Sequence, residues 1–223
     1  MVNVKRVNED GLTEDGPTPE RDAHQGGSAG LVDRRPQILR SAYKFMGEKG
    51  VMRFALQDVA DDVGVSKALL LYHFRSKENL VLATLQWALD SVAARIQRAV
   101  SAIPTAEEKV EAMLDAILQR PEQNRHFYKV YADLLSQATR ADAYSAVATT
   151  FHTTVNGLYA EMAELGMREG VFTPRDPLVA AEVMRALIDG LFFQWLLEPD
   201  WRATHAEYRA RCKNVALAYL RRA

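Results

Sequence analysis

The segment of this chain that most constrains its fold is residues 56–77, LQDVADDVGVSKALLLYHFRSK. Its first half spaces apolar residues three and four apart and then reaches Gly64, a pattern typical of a short helix that stops at a turn. Ser66 is a good N-cap for a second short helix, which continues through Phe74. Two short helices joined by a tight glycine-containing turn predict a helix-turn-helix, whose second helix fits the major groove of DNA.

The remainder of the chain repeats apolar residues at helical spacing, and no segment sustains the period-two alternation of a strand. A first helix is predicted to begin near Pro36 and to end at Gly50. Thr105 and Glu108 have the spacing of a capping box at the start of a later helix. The sequence therefore predicts an all-α protein of about nine helices. Those beyond the motif begin at Lys77 and Thr105 and then cover residues 122–138, 142–165 (ending near Gly166), 178–197 and 203–221.

Composition divides the chain into three parts. Residues 1–30 are rich in Gly, Asp, Glu, Pro and Thr and lack periodicity, so we expect a disordered tail. Residues 31–80 contain nine basic and six acidic residues, and this modest basic excess lies on the segment that carries the motif. We assign residues 31–80 to a three-helix DNA-binding domain and residues 81–223 to a helical-bundle domain for ligand binding and dimerisation.

The overall composition is that of an ordinary globular chain, with 48% hydrophobic and 26% charged residues. No apolar run reaches about 18 residues, so no membrane span is expected, and the N-terminus lacks the apolar core of a secretion signal. The single cysteine, Cys212, excludes an internal disulfide and a cysteine-based zinc site. These features indicate a cytoplasmic protein with no membrane partner, no metal and no cofactor.

The second helix of the motif is predicted to have two distinct faces. Leu70 and Phe74 are four apart, and we expect them to face the core together with Leu71. The opposite face then presents Ala68, Leu69, Tyr72 and His73. Free backbone N–H groups at the start of the helix can bind a phosphate. Flanking positive charge comes from Lys67, Arg75 and Lys77.

Three stretches of the first domain, ILRSAYKFMGEKG, LQDVADDVGVSK and YHFRSKENL, carry a family resemblance. Through them, residues 34–81 resemble the DNA-binding domain of TetR/AcrR-type transcriptional regulators. The later stretch DPLVAAEVMRALIDGLFFQWLLEPD resembles the penultimate helix of such proteins. The resemblance implies a repressor that binds a palindromic double-stranded DNA operator as a homodimer. It also implies that a small molecule binds the C-terminal domain and releases the DNA.

The resemblance assigns DNA contacts by position. The recognition helix carries Ser66, Lys67, Ala68, Leu69, Tyr72 and His73, and Lys77 falls at the phosphate-contacting start of the next helix. Two positions depart from the family pattern. Ala55 replaces a hydroxyl residue that can contact a phosphate, and Leu71 replaces a tyrosine. We therefore expect few direct hydrogen bonds to bases, with Tyr72, His73 and Lys77 making most of the contacts.

A ligand pocket between helices is the second expectation, and it would be mostly apolar with a few polar groups. Core packing is the competing interpretation for each aromatic residue, and the sequence indicates only that the effector is small and largely apolar or aromatic. The predicted ligand-binding residues are Met113, Phe127, Tyr131, Phe151, His152, Asn156, Tyr159 and Phe192. Further polar candidates are His126 and Gln194.

The last two helices are the expected dimer surface. Gly190 would permit a close approach between helices, and a two-fold four-helix arrangement would result. The competing interpretation is burial within one subunit. The predicted dimer residues are Leu187, Gly190, Leu191, Gln194, Trp195 and Tyr219.

An enzyme is not expected. A carboxylate-bridged metal bundle needs Glu-x-x-His pairs, whereas Glu122 and His126 are four apart. The chain also lacks a Gly-rich phosphate loop, a nucleophile elbow and a His-Glu-x-x-His run. The alternative function is a ligand-independent regulator or an activator, because the sign of regulation depends on where the operator lies.

Overall fold

The computed structural model describes residues 34–221, and this part of the chain forms nine α-helices. In chain order they are α1 (Arg35–Lys49), α2 (Leu56–Val63), α3 (Lys67–Phe74), α4 (Lys77–Val100), α5 (Ala106–Ile117), α6 (Pro121–Ala138), α7 (Asp142–Arg168), α8 (Pro177–Leu196) and α9 (Trp201–Leu220). The all-α prediction is confirmed, since the described residues add only an isolated bridge between Phe172 and Arg221. The predicted tail, residues 1–30, lies outside them.

The helix-turn-helix is closed by local hydrogen bonds. α2 ends at Gly64, whose φ is 72°, and the N–H of Val65 donates to the Ala60 carbonyl at 2.9 Å. Glycine adopts this left-handed conformation without the steric penalty of a Cβ. Ser66 then caps α3, because its hydroxyl accepts from the Leu69 N–H at 3.1 Å. The turn between α2 and α3 is therefore set by the residues that the sequence places there.

A small apolar core joins α1, α2 and α3 to the start of α4. Burial of apolar surface is the main favourable contribution to folding, so this core fixes which side of α3 faces inward. The buried members include Ile38, Ala42, Met46, Phe54, Val59, Leu70, Phe74 and Leu80.

The remaining helices form a bundle in which α8 packs against both α7 and α9, and α4 packs against α5 and α7. α4 is continuous from Lys77 to Val100, so the domain boundary that we place after residue 80 falls inside a helix. From Pro36 onward the described residues form one compact unit. None of their helices is long and apolar enough to cross a membrane.

Two local predictions need correction. α7 continues two residues past Gly166 to Arg168, and a Cβ on Gly166 would overlap the ring of Phe172. This glycine is a packing site rather than a helix end. α5 begins after Thr105 as expected, but the Thr105 hydroxyl donates to the Glu108 carboxylate at 2.7 Å, and its oxygen caps no backbone N–H. The two residues therefore do not form a reciprocal capping box.

Candidate functional site: the exposed helix and the central cavity

α3 turns one side to the core and leaves the other to solvent. Leu70 is 1% exposed and Tyr72 is 73% exposed, so the two faces differ sharply. Leu71 is 36% exposed, and its expected place in the core is wrong. Successive residues of a helix are rotated by about 100°, which places Leu71 beyond the inward face that Leu70 and Phe74 define. Of the other predicted contact residues, Leu69 is half-buried and Ser66, Lys67 and Ala68 are exposed.

Tyr72 and His73 form a pair at the end of this face. Their rings meet edge to face with centroids 5.0 Å apart. The Tyr72 ring extends into solvent, whereas His73 is half-buried and its Nε2 has no hydrogen-bond partner among the described residues. Tyr72 is therefore the more accessible of the two, and His73 supports its ring.

The ammonium group of Lys77 is engaged within the chain. It donates to the Met52 carbonyl at 2.7 Å and lies 4.8 Å from the centroid of the Phe54 ring. This contact ties the start of α4 to the segment between α1 and α2. The Ser76 hydroxyl caps the same helix by accepting from the Asn79 N–H at 3.0 Å. Lys77 therefore has a structural role that its spacing in the sequence did not indicate.

Ala55 occupies the position at which the family pattern has a hydroxyl residue. Its backbone N–H has an acidic partner close by in the chain. The Asp58 carboxylate accepts from the Ala55 N–H at 2.9 Å and from the Lys49 ammonium at 2.7 Å. The hydrogen bond from Lys49 holds the pKa of Asp58 below its usual range. At the start of α2 the Ala55 N–H is thus engaged by a carboxylate.

Arg75 follows α3 and adopts φ 68°, which is uncommon for a residue with a Cβ. It is exposed, so a positive charge stands directly beside the recognition face at a position that glycine would fill with less strain.

One face of α6 makes hydrogen bonds to the C-terminal part of α1 and to the segment that follows it. His126 Nε2 lies 2.9 Å from the Tyr43 carbonyl oxygen, Lys129 donates to the Gly47 carbonyl at 2.5 Å, and Asp133 accepts from the Val51 N–H at 2.9 Å. A Cβ on Gly47 would overlap the His126 ring, so glycine is needed for this approach. The sequence signal was the spacing of His126, Lys129 and Asp133 along one helical face.

A cavity of about 550 Å³ lies between α1, α4, α6, α7 and α8. Its aromatic wall is made by Tyr43, Trp87, Phe127, Tyr128, Phe151 and Tyr159. Its charged wall is made by Arg40, Lys44, Arg95, Glu122, Arg185 and Asp189. The volume is that of a pocket for a small organic molecule. Because α1 supplies part of the wall, an occupant of this cavity would touch the helix-turn-helix domain directly.

The predicted ligand-binding residues divide into two groups. Phe127, Phe151 and Tyr159 lie on the cavity wall. Five others do not line the cavity, and their part in ligand binding stays a prediction: the half-buried His152 and the buried Met113, Tyr131, Asn156 and Phe192. Of the further polar candidates, His126 lies on the wall and Gln194 is exposed on α8.

Asn156 and His152, the two polar residues among these five, make hydrogen bonds to residues around the cavity wall. The Asn156 side-chain oxygen accepts from Arg185 Nε at 2.7 Å, which orients a guanidinium group of the wall. His152 Nε2 lies 2.6 Å from the Tyr131 hydroxyl. Burial and the charge of Arg185 lower the pKa of His152 to about 4, so the ring that makes this contact is neutral near pH 7.

Asp189 is the carboxylate at the inner end of the wall. Tyr128 donates its hydroxyl to Asp189 at 3.2 Å, and Arg185 Nη1 lies 4.0 Å from the second carboxylate oxygen. Burial raises the pKa of Asp189 to about 6, although the charge of Arg185 opposes this shift. Sequence reasoning missed both residues, because a charged pair four apart on an apolar helix can as easily lie at the surface.

The predicted dimer residues also separate. Trp195 is fully buried within the chain, where its ring packs against Phe192 and His205 and its indole N–H donates to the Trp201 carbonyl at 2.7 Å. Its expected place on a dimer surface is therefore wrong. Gly190 and Gln194 are exposed, whereas the half-buried residues are Leu187, Leu191 and Tyr219.

Two family profiles match the chain. Residues 38–84 match the bacterial regulatory proteins of the tetR family, and residues 106–221 match the C-terminal domain of BetI-type transcriptional repressors. Together they cover the helix-turn-helix and the bundle. The chain therefore belongs to the TetR family of bacterial transcriptional regulators, which bind DNA and are not enzymes.

Relatives of known role are distant in sequence. The HTH-type transcriptional repressor KstR2 of Mycobacterium tuberculosis is 25% identical over 147 residues, which are 66% of this chain and 73% of that one. The HTH-type transcriptional regulator BetI of Rhizobium meliloti is 24% identical over 168 residues, 74% of this chain and 79% of its own.

Solved structures agree on the fold. A transcriptional regulator from Saccharomonospora viridis in complex with choline superposes with a TM-score of 0.78 at 22% identity, covering 86% of this chain and all of that one. A TetR transcription regulator from Haloarcula marismortui superposes with a TM-score of 0.73 at 23% identity, covering 85% and 97%. At such identities the likeness establishes the fold alone.

Proposed function

We propose that this chain is a repressor that binds a palindromic operator as a homodimer and is released by a small, largely apolar effector. The observation that carries the proposal is the shared wall of the cavity: Arg40, Tyr43 and Lys44 belong to α1 of the helix-turn-helix domain, and the rest of the wall belongs to the bundle. A molecule in the cavity contacts both parts at once, so its binding energy can favour one arrangement of the two over another.

The DNA side of the proposal rests on the exposed face of α3. Lys67 and Tyr72 are exposed at opposite ends of the helix, and Arg75 adds a charge just beyond it. Lys67 and Arg75 can bind phosphates, whereas Tyr72 can bind a phosphate oxygen or contact a thymine methyl. Two such helices in a dimer would occupy successive major grooves about one DNA turn apart.

The dimer side rests on α8. Gly190 is exposed, and apart from its own helix and chain neighbours no atom of residues 34–221 lies within 4 Å of a Cβ built on it. The apolar side chains of Leu187 and Leu191 are partly exposed on the adjacent face. A partner helix could therefore approach closely at Gly190 and bury these leucines in a four-helix arrangement.

The proposal of a repressor, and not an activator, is taken from the relatives. KstR2 is a repressor, and the profile that matches residues 106–221 is that of BetI-type repressors. The alternative, an activator, is represented by FasR of Mycolicibacterium smegmatis, which is 29% identical over 98 residues, 44% of this chain. A ligand-independent regulator is the other alternative, and the presence of a cavity on the path between α1 and α8 favours an effector.

The DNA side is tested by gel retardation and footprinting with the region upstream of the chain's own gene. We expect a protected palindrome, and we expect Tyr72→Phe and His73→Ala to reduce discrimination between the palindrome and a scrambled site. Arg140→Gln, an exposed substitution in the loop between α6 and α7, is the matched control. Unchanged operator affinity and salt dependence in both recognition-helix variants would contradict their proposed role.

The dimer is tested by sedimentation of the wild type and of Gly190→Leu at micromolar concentration. We expect a dimer that the added side chain dissociates, whereas Gly157→Leu should have no effect. Gly157 is also an exposed glycine of a helix interior with no atom near its Cβ position. A wild-type chain that sediments as a monomer would reject the dimer.

The effector side is tested with a panel of small apolar and aromatic compounds. A rise in melting temperature together with loss of DNA retardation would support release by an effector. If no compound changes either quantity, the ligand-independent alternative is favoured.

A further inference from the structure

Some charged side chains of the cavity wall have partners within the chain, and others have no partner of opposite charge among the described residues. Four of the wall's six charged side chains have partners within the chain: Lys44 pairs with Asp62 at 2.9 Å, Glu122 with Arg202 at 2.8 Å, and Arg185 and Asp189 face each other at 4.0 Å, with Arg185 also donating to Asn156 at 2.7 Å. After these pairings, the wall retains two guanidinium groups, those of Arg40 and Arg95, without a carboxylate partner among the described residues.

Of these two arginines, Arg95 gives the stronger indication of an anionic ligand, because it is half-buried. Its Nε donates to the Ala116 carbonyl at 2.7 Å, which orients the group without neutralising its charge. Burial lowers the pKa of Arg95, and the positive charge of Arg98 lowers it further. A half-buried cation that faces a cavity without an anionic partner is costly in the empty protein. An anionic ligand would remove this cost.

Arg40 and Tyr43 complete a set of donors beside Arg95. They are three apart on α1, so they lie on one face of that helix, and both line the cavity. Tyr43 is close enough to Arg95 for the guanidinium charge to oppose the rise in the tyrosine pKa that burial causes. Two guanidinium groups and a phenol hydroxyl form a donor set suited to the oxygens of a carboxylate or a phosphate.

The other half of the wall is apolar. Phe127, Phe151, Val155 and Ile188 offer no charge and suit a hydrocarbon or aromatic body. A cationic ligand would meet the repulsion of Arg40 and Arg95. Of the two carboxylates on the wall, Glu122 pairs with Arg202, and Asp189 accepts from Tyr128 and faces Arg185. The balance of charge therefore favours an anion over a quaternary amine.

We propose that the effector is an amphipathic organic anion whose apolar body fills the aromatic end of the cavity and whose carboxylate or phosphate head group binds Arg40, Tyr43 and Arg95. This inference rests on the proposed function, since it names the chemistry of the molecule that the cavity takes. The head group links α1 to α4, through Arg40 and Tyr43 on one side and Arg95 on the other. The ligand thus acts on the helix-turn-helix domain through its charge, while its apolar body provides most of the buried area.

The test uses four probes with the same ten-carbon chain, each below its micelle-forming concentration: decanoate, decyl phosphate, decanol and decyltrimethylammonium. Calorimetry and thermal melting are performed on the full chain. We expect at least one of the two anions to bind about tenfold or more tightly than the alcohol, and the quaternary amine to bind most weakly. Comparison of decanoate with decyl phosphate distinguishes a carboxylate from a phosphate head group.

The variants Arg40→Gln and Arg95→Gln separate charge recognition from packing. Each should weaken binding of the preferred anion by about tenfold and leave decanol within about twofold of wild type. Arg140→Gln should change neither. Because Arg40 is exposed, its substitution tests the head-group site even if Arg95→Gln lowers the stability of the chain.

The proposal is overturned if none of the four probes binds, if the alcohol or the amine binds as tightly as the anions, or if both arginine variants retain full affinity for the anion. Failure of the proposed function is distinguishable, because it is measured without any ligand. An unliganded chain that retards no operator DNA contradicts the proposed function, whereas one that retards DNA but binds no anion contradicts only the head-group assignment.

Discussion

α3 and α8 are both rich in apolar residues, yet only one of them has faces that its sequence identifies. α3 has eight residues, and its buried Leu70 contrasts with Tyr72 in solvent. α8 has twenty residues, and apolar side chains occur all around it. Its three faces meet the core at Trp195, the cavity at Asp189 and solvent at Gly190.

The difference teaches which interactions a local pattern can report. A helix at the edge of a small core shows a contrast between its inward and outward sides, and its outward residues are those that meet an external partner. A helix that is surrounded by others has no such contrast, because each side is apolar for a different reason.

Trp195→Ala tests the core face of α8. Removal of a fully buried tryptophan should lower the free energy of unfolding by about 3–5 kcal/mol, through lost burial and the cavity that remains. Urea unfolding of the wild type and variant measures this, and Gln194→Ala, its exposed neighbour, is the control. If the variant keeps its stability and only dissociates into monomers, Trp195 contributes to the dimer surface and not to the core.

Lys67→Glu tests the outward face of α3. Reversal of an exposed charge at a proposed phosphate-binding position should weaken operator binding by about 10- to 100-fold and reduce the salt dependence of the affinity. The melting temperature should stay the same, since Lys67 is exposed. Gel retardation at several salt concentrations measures the effect, with Arg140→Glu as the matched charge reversal. Equal losses in the two variants would indicate non-specific electrostatics.

Asp189→Asn tests the cavity face of α8 through pH. The pKa of Asp189 is raised to about 6, so the folded wild type must ionise a buried carboxyl and loses stability as the pH rises from about 4 through 6. The asparagine variant does not titrate, so its stability relative to wild type should increase over that range by about 2–3 kcal/mol, since each pKa unit corresponds to about 1.4 kcal/mol. Thermal melts from pH 4 to 8 measure the difference. If the difference in stability between the two proteins does not change with pH, the pH dependence comes from a group other than Asp189.

Leu71→Ala tests the corrected position on α3. Since Leu71 is 36% exposed, its truncation should change the free energy of unfolding by less than about 0.5 kcal/mol. The matched substitution Leu70→Ala, at a residue 1% exposed, should cost about 2–5 kcal/mol. Urea unfolding compares the two variants. Similar losses in both would mean that α3 buries a wider face than its exposure indicates.

Prediction from sequence succeeded where the signal was local. The helix-turn-helix follows from Gly64 at the turn and Ser66 at the cap, both of which act through hydrogen bonds to residues within five positions. It failed at Gly166, where the reason for glycine is the ring of Phe172 packed against it. It also missed Gly47, whose small size admits His126 from a helix that lies far along the sequence.

The cavity shows the same limit. Phe127, Phe151 and Tyr159 were expected on its wall and lie there, whereas Tyr131 and Phe192 have the same chemistry and lie in the core. Aromatic residues on neighbouring turns of a buried helix are equivalent in a sequence pattern. Only the packing of α6, α7 and α8 against one another decides which ring faces a space and which fills one.

The sequence by itself determined the helical class, the order of the nine described helices and the motif that presents α3 to DNA, because helix caps, turns and apolar spacing act over a few residues. The tertiary structure decided that Trp195 is core, that Lys77 binds the Met52 carbonyl, and that Arg40 and Arg95 share one cavity wall. These facts depend on contacts between residues far apart in the chain, which no local pattern records.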